Sequence, residues 1–172
     1  QILSPEISVV RSPKSYNSQI GVPMSVWQLN DSHDMAIIEA GISRPDEMHN
    51  LKKIIKPTIG IFTNIGQAHG KNFDNIDDKI EEKLKLFSDV QTLIYCLDYK
   101  GIDDKVKKLN VNTFTWSRND ESADVKICSV AKGKDNTTIE AIVKSQRTTM
   151  KIVIPFVDDA SIENAIHCWV TV

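Results

Sequence analysis

Between residues 7 and 109, short runs of branched apolar residues alternate with longer stretches whose apolar positions recur at helical spacing, and this alternation restricts the fold more than any other feature. Ile7–Val10 is β-branched and is closed by the turn chemistry of Arg11-Ser12-Pro13. Gly21-Val22-Pro23 opens an apolar-periodic helix over Met24–Leu29, with proline in its first turn. Met35–Ile38 is a continuous apolar run closed by Glu39, the pattern of a strand buried on both faces. Pro45–Ile55 predicts a helix, because Asp46 and Glu47 near its start and Lys52, Lys53 and Lys56 near its end suit the helix dipole. Thr58–Thr63 is the next strand. Asp77–Phe87 is a charged helix with Ile80, Leu84 and Phe87 on one face, Thr92–Leu97 another buried strand, and Asp103–Leu109 a short helix.

Such alternation predicts an α/β fold with a doubly wound, mostly parallel sheet. From Val111 the pattern changes. Val111–Trp116, Val125–Val130, Thr137–Val143 and Thr148–Ile154 read as successive strands, with a hairpin turn at Lys132-Gly133-Lys134-Asp135-Asn136, so an antiparallel β segment is expected to be added to the parallel core. A length of 172 residues with 41% hydrophobic content suits one such domain rather than two. The chain opens on Gln1, and the apolar-faced helix expected over Ser161–Val172 ends without a C-terminal stop signal, which predicts a piece of something longer.

Charge and apolar content exclude several classes of partner. Lys and Arg total 21 against 23 Asp and Glu, a net charge of -2, which gives no electrostatic grip on nucleic acid or anionic lipid. No apolar run approaches the roughly 18 to 20 residues of a membrane-spanning helix, so neither a nucleic acid nor a membrane is expected as partner. The widely spaced Cys96, Cys128 and Cys168 make neither a disulfide framework nor a zinc pattern; they read as small buried hydrophobes in a reducing cytoplasm.

In parallel sheets, ligands bind beyond the carboxyl ends of the strands, which directs attention to polar residues just past strand ends. Glu39 stands there within Glu39-Ala40-Gly41-Ile42-Ser43-Arg44-Pro45, and His69 ends Thr63-Asn64-Ile65-Gly66-Gln67-Ala68-His69. A carboxylate and an imidazole on neighbouring strand ends can share one hard cation such as Mg²⁺, completed by water and phosphate. Plainer readings stand beside this: Glu39 as a cap of the following helix, His69 as a loop histidine, and Lys83 as an exposed helix lysine near Lys79 and Glu82. His33, His49 and His167 read as structural or solvated. No nucleophile elbow, zinc helix or GxGxxG occurs, and no phosphate-binding Gly-x-x-x-x-Gly-Lys-Ser/Thr: the one Gly-Lys pair, Gly133-Lys134, has Cys128 and Asp135 at the flanking positions and reads as a hairpin turn.

Ser15-Tyr16-Asn17-Ser18-Gln19-Ile20-Gly21-Val22-Pro23, then Glu39-Ala40-Gly41-Ile42-Ser43-Arg44-Pro45-Asp46-Glu47-Met48, then Thr63–His69, with Lys83 and Phe87 downstream, are ordered and spaced over nearly the whole chain. Together they resemble the central domain of the Mur ligases, P-loop-NTPase-like enzymes of peptidoglycan precursor synthesis, and within them the branch that adds D-alanyl-D-alanine. The resemblance implies an ATP-dependent ligase that joins D-alanyl-D-alanine to UDP-N-acetylmuramoyl-tripeptide through an acyl phosphate. It further implies Mg²⁺ ligation by Glu39 and His69, a carbamylated Lys83 helping to hold a cation, a substrate segment at Asn17 and Ser18, and Asn164 near the ATP base.

The departures carry expectations too. The family's phosphate-binding loop lies upstream of the residues matching Ile7–Arg11, so the resemblance implies a partial central domain without that loop and without the N-terminal UDP-binding and C-terminal domains. Such a piece is expected to be inactive alone and prone to self-association through uncovered sheet surface. Near Asn164 the usual Gly-x-His-Asn-x-x-Asn reads Asp158-Asp159-Ala160-Ser161-Ile162-Glu163-Asn164, a variant similar to the ligase half of ligase and alanine-racemase fusions. Two alternatives remain at this stage: another amide ligase of the superfamily, acting on folate or another amino-acid chain, and a non-catalytic binding domain.

Overall fold

The structure, a computed structural model, describes residues 7–66, 72–73 and 75–172. It divides into two compact units, residues 1–58 with 65–89, and residues 59–64 with 90–172.

In the first unit β1 (Val9–Arg11) pairs in parallel with β2 (Met35–Ile37), Val10 opposite Ala36. Helix α1 (Gly21–Val26) and helix α2 (Glu47–Ile55) follow these strands, and α3 (Ile76–Leu84) continues into a 3-10 turn over Lys85–Phe87. Asn75 caps α3 by accepting the Asp78 N–H, and Asp77 and Asp78 place negative charge on its first turn, where the helix dipole favours it. Val22, Met48, Leu51 and Leu86 form the buried core, with Val26, Ile38, Ala40, Ile42, Ile55 and Phe87 packed around them. Helix α2 is bracketed by two non-glycine residues with left-handed backbone, Asp46 (φ 67°) and Lys56 (φ 48°). It therefore starts at Glu47, two residues later than the sequence suggests.

In the second unit six strands run in the order β3-β4-β5-β6-β7-β8: β3 (Ile59–Phe62), β4 (Thr92–Cys96), β5 (Asn112–Ser117), β6 (Val125–Lys132), β7 (Thr137–Val143) and β8 (Thr148–Ile154). The first four are mutually parallel and the last three antiparallel. Crossing over through α4 (Lys100–Val106) puts β5 on the parallel side, so the antiparallel segment begins later than Val111. The β6–β7 hairpin closes at the expected turn, where the Gly133 N–H donates to the Asn136 carbonyl at 2.7 Å. Helix α5 (Asp159–Thr171), capped by Asp158 through the Ser161 N–H, contributes Ile162 and Ile166 to a core with Cys96, Trp116, Ile127, Ile139 and Ala141.

Expectations about burial are overturned for one strand and two cysteines. β2 is exposed along its whole length, with Ile37 at 49% exposure, and Ile59 of β3 is exposed at 50%. Only β4 is buried almost throughout. An apolar run fixes what a strand could bury but not how many neighbours cover it; among the described residues β4 lies between two strands, whereas β2 has one partner and β3 is an edge. Of the cysteines, Cys96 is buried, with burial chiefly pushing its thiol up to about 12, but Cys128 and Cys168 are exposed. Cys128 sits at the register shift between Ile127 and Ser129, a bulge that turns its side chain away from the core.

His167 is 2% exposed on α5, and its Nδ1 accepts the Trp116 indole N–H at 3.2 Å with the rings edge to face. Burial lowers its imidazole to about 4. The unfolded chain takes up this proton near pH 6.5 and the folded chain only near 4, so the folded state binds fewer protons between these values. Stability is then full above pH 6.5 and falls as pH drops toward 4. Thermal melts from pH 8 to 4 are expected to show this limb, and His167→Leu to flatten it while lowering the melting temperature at pH 8, where Trp116 loses its acceptor.

Candidate active site

Glu39 stands two residues beyond β2, exposed, and is held from two sides. Its N–H donates to Ser12 Oγ at 3.0 Å, and one carboxylate oxygen, Oε1, accepts the Asn17 side-chain N–H at 2.8 Å. Asn17 is itself anchored, because the Gly41 N–H donates to its carbonyl at 2.7 Å. A Cβ at position 41 would stand 3.0 Å from Asn17 Cγ, so glycine is what allows this approach. The turn that follows is fixed by Glu47: its Oε2 accepts the N–H groups of Ser43 (2.7 Å) and Arg44 (2.9 Å). Burial opposes ionisation of Glu47, but these bonds and the Arg44 charge outweigh it and hold its carboxyl below the usual range.

Lys83 lies on α3 and is half-buried. Burial and the like charge of Lys79 hold its amine below the ordinary lysine range, with Glu39 pulling the other way. Those effects enlarge the uncharged fraction, the form of an amine that reacts with CO₂. Beside it, Glu82 is buried; its Oε1 accepts the Met48 N–H at 3.1 Å and its Oε2 pairs with Lys85 at 2.6 Å. Lys85 also reaches Asp46 at 3.1 Å. The first turn of α2 is thus tied to α3 by a carboxylate that no sequence motif marks. Glu39, the alternative cap considered from sequence, makes no such bond; Glu47 and Glu82 serve that end of α2.

Ser18 Oγ accepts the Gly21 N–H at 3.2 Å, so its hydroxyl is engaged in the entry to α1. Asn164 is exposed on α5, in the second unit. His69 lies outside the described residues. Asn72, which is described, donates its side-chain N–H to the Ser43 carbonyl at 2.8 Å. Among the described residues no group of three or more His, Cys, Asp or Glu side chains converges as a metal cage. What the described part offers is one oriented carboxylate at a strand end, an oxygen donor that suits a hard cation keeping several waters, with the half-buried Lys83 amine in its electrostatic reach.

The Mur ligase middle domain family matches the chain over residues 1–172. The chain belongs to the Mur ligase middle domain family. A UDP-N-acetylmuramoyl-tripeptide--D-alanyl-D-alanine ligase of Treponema pallidum is 36% identical over 87 residues, which is 51% of this chain and 19% of that protein. The ligase of the same name from Buchnera aphidicola subsp. Acyrthosiphon pisum is 25% identical over 96% of this chain and 37% of its own length. Among solved structures, MurF from Acinetobacter baumannii superposes with a TM-score of 0.84 at 20% identity, covering 98% of this chain and 37% of that one. MurF from Thermotoga maritima in complex with ADP gives 0.81 at 18% identity, covering 95% and 38%. The chain therefore spans little more than a third of these relatives at most, and the structural likeness fixes the middle-domain fold: a mostly parallel sheet with added antiparallel strands.

The buried Glu82 bond is the testable anchor of this site. Glu82→Ala removes the acceptor of the Met48 N–H and is expected to cost about 2 kcal/mol in urea unfolding. Lys53→Ala, at an exposed position of α2, should change the unfolding free energy by less than about 0.5 kcal/mol.

Proposed function

We propose that this chain is the ATP-binding central domain of a longer ligase that joins D-alanyl-D-alanine to UDP-N-acetylmuramoyl-tripeptide in peptidoglycan precursor synthesis in the cytoplasm. Matching over the whole chain and the names of its relatives support the reading. The observation that carries it is the oriented Glu39 carboxylate with the half-buried Lys83 amine in its field. Among the described residues no helix is long and apolar enough to cross a membrane, which accords with that setting.

In this reading the γ-phosphoryl group of ATP passes to the tripeptide carboxylate; the dipeptide amine then attacks the acyl carbon, and inorganic phosphate leaves as the amide forms. Glu39 and His69 would hold Mg²⁺, with carbamylated Lys83 supplying a further oxygen donor. The ion, when bound, offsets charge on the transferring group. The chain's own residues supply orientation: Ser12 and Asn17 fix Glu39, and Glu82 fixes the helix that carries Lys83. Most of the rate gain expected from such a site is positional and electrostatic. Asn164 would lie near the ATP base, and Ser18 and Asn17 near the tripeptide.

The test is product formation by the full-length protein with ATP, Mg²⁺ and the two substrates, read by mass spectrometry. Glu39→Ala and Lys83→Arg are each expected to lower turnover about 10²-fold or more, arginine because its guanidinium stays charged and cannot be carbamylated. Preferential extension of a folate, or ligation unaffected by both substitutions, would overturn the reading.

The 172 residues contain no phosphate-binding Gly-x-x-x-x-Gly-Lys-Ser/Thr cradle, so alone they are expected to hydrolyse no ATP. Exposed Ile59 and Ile61 on edge strand β3 favour pairing with a second strand. Sedimentation of the isolated chain is expected to show concentration-dependent association, and a clean monomer at high concentration would count against it.

A further inference from the structure

Glu39 is exposed, and a glutamate side chain free in water samples many rotamers, so a cation binding it must first bear the cost of ordering it. Here that ordering is built in. Asn17 donates to Glu39 Oε1 at 2.8 Å, its backbone carbonyl accepts the Gly41 N–H, and its carboxamide lies where a Cβ on residue 41 would stand 3.0 Å from Cγ. The donor is a neutral amide. A lysine or arginine in its place would orient Glu39 equally well but cancel the charge that a cation needs, whereas the amide leaves it intact.

Resting on the proposed Mg²⁺ role of Glu39, we infer that Asn17 is a positioning residue for that carboxylate, with Gly41 as the seat that holds Asn17. Asn17 fixes Oε1 and leaves the second oxygen directed for the cation. The resemblance implies a substrate segment at Asn17; its side-chain amide also donates to Glu39, which leaves a second N–H on the same nitrogen.

The experiment titrates Mn²⁺ alone into the full-length protein, followed by the electron spin resonance of the free ion and by calorimetry. Asn17→Ala is expected to weaken Mn²⁺ binding about 10-fold. Asn17→Leu, close in size and without a donor, is expected to do the same and serves if the alanine variant fails to fold. Gly41 has no positive φ, so a methyl there acts only through collision with Asn17. Gly41→Ala should therefore weaken binding on its own, yet add nothing in the Asn17→Ala background.

Wild-type Mn²⁺ affinity in both Asn17 variants, with binding lost in Glu39→Gln, overturns this inference and leaves the metal role of Glu39 standing. Wild-type affinity in Glu39→Gln as well overturns both. A raised KM for the tripeptide substrate in Asn17→Ala with Mn²⁺ binding unchanged would return Asn17 to substrate contact and overturn the positioning role.

Discussion

A carboxylate buried on one helix and receiving a backbone N–H from the next is the bond around which the first unit is organised. Burying a carboxylate at Glu82 without partners would cost several kcal/mol. The Met48 N–H and the Lys85 ammonium meet that requirement, and Lys85 extends the link to Asp46 at the head of α2. The next residue on α3 is Lys83, and the residues leading into α2 are those that follow Glu39. One buried contact therefore sets the separation of two groups that lie 44 positions apart in the chain. The apolar core of Val22, Met48, Leu51 and Leu86 supplies bulk cohesion, while the Glu82 bond supplies register.

Much of the fold was legible because the periods are clean. Among the described residues the eight strands and five α-helices fall close to their expected positions, since β-branched runs and i, i+4 apolar spacing report local geometry directly. What periodicity does not encode is who covers each face, and β2 shows this: Met35, Ala36 and Ile37 are as apolar as any buried strand, yet each is exposed. The parallel placement of β5 was likewise hidden, because strand direction depends on the crossover rather than on the strand's own residues.

The site was legible in outline and opaque in detail. Glu39 and Lys83 were flagged by their place after a strand and by the order of neighbouring motifs, and the structure brings Glu39 into the electrostatic surroundings of Lys83. Glu82 carries no such mark, for a glutamate between Ile80 and Leu84 reads as helix surface. Nor does sequence distinguish an asparagine that touches a ligand from one that braces a carboxylate 22 residues on. A faint signal existed in Gly41, a glycine two residues past the candidate acid, and the structure shows that no positive φ requires it there.

Helix α2 carries one more consequence. Asp46 and Lys56, at its two ends, adopt a left-handed backbone that costs an ordinary L-residue about 1 kcal/mol or more. Asp46 recovers part of this through its bond to Lys85. At the other end the Lys56 N–H closes onto the Lys52 carbonyl. A glycine or asparagine there would relax the strain without approaching Glu39 or Lys83, so the domain holds an unused reserve of robustness at a position remote from its chemistry.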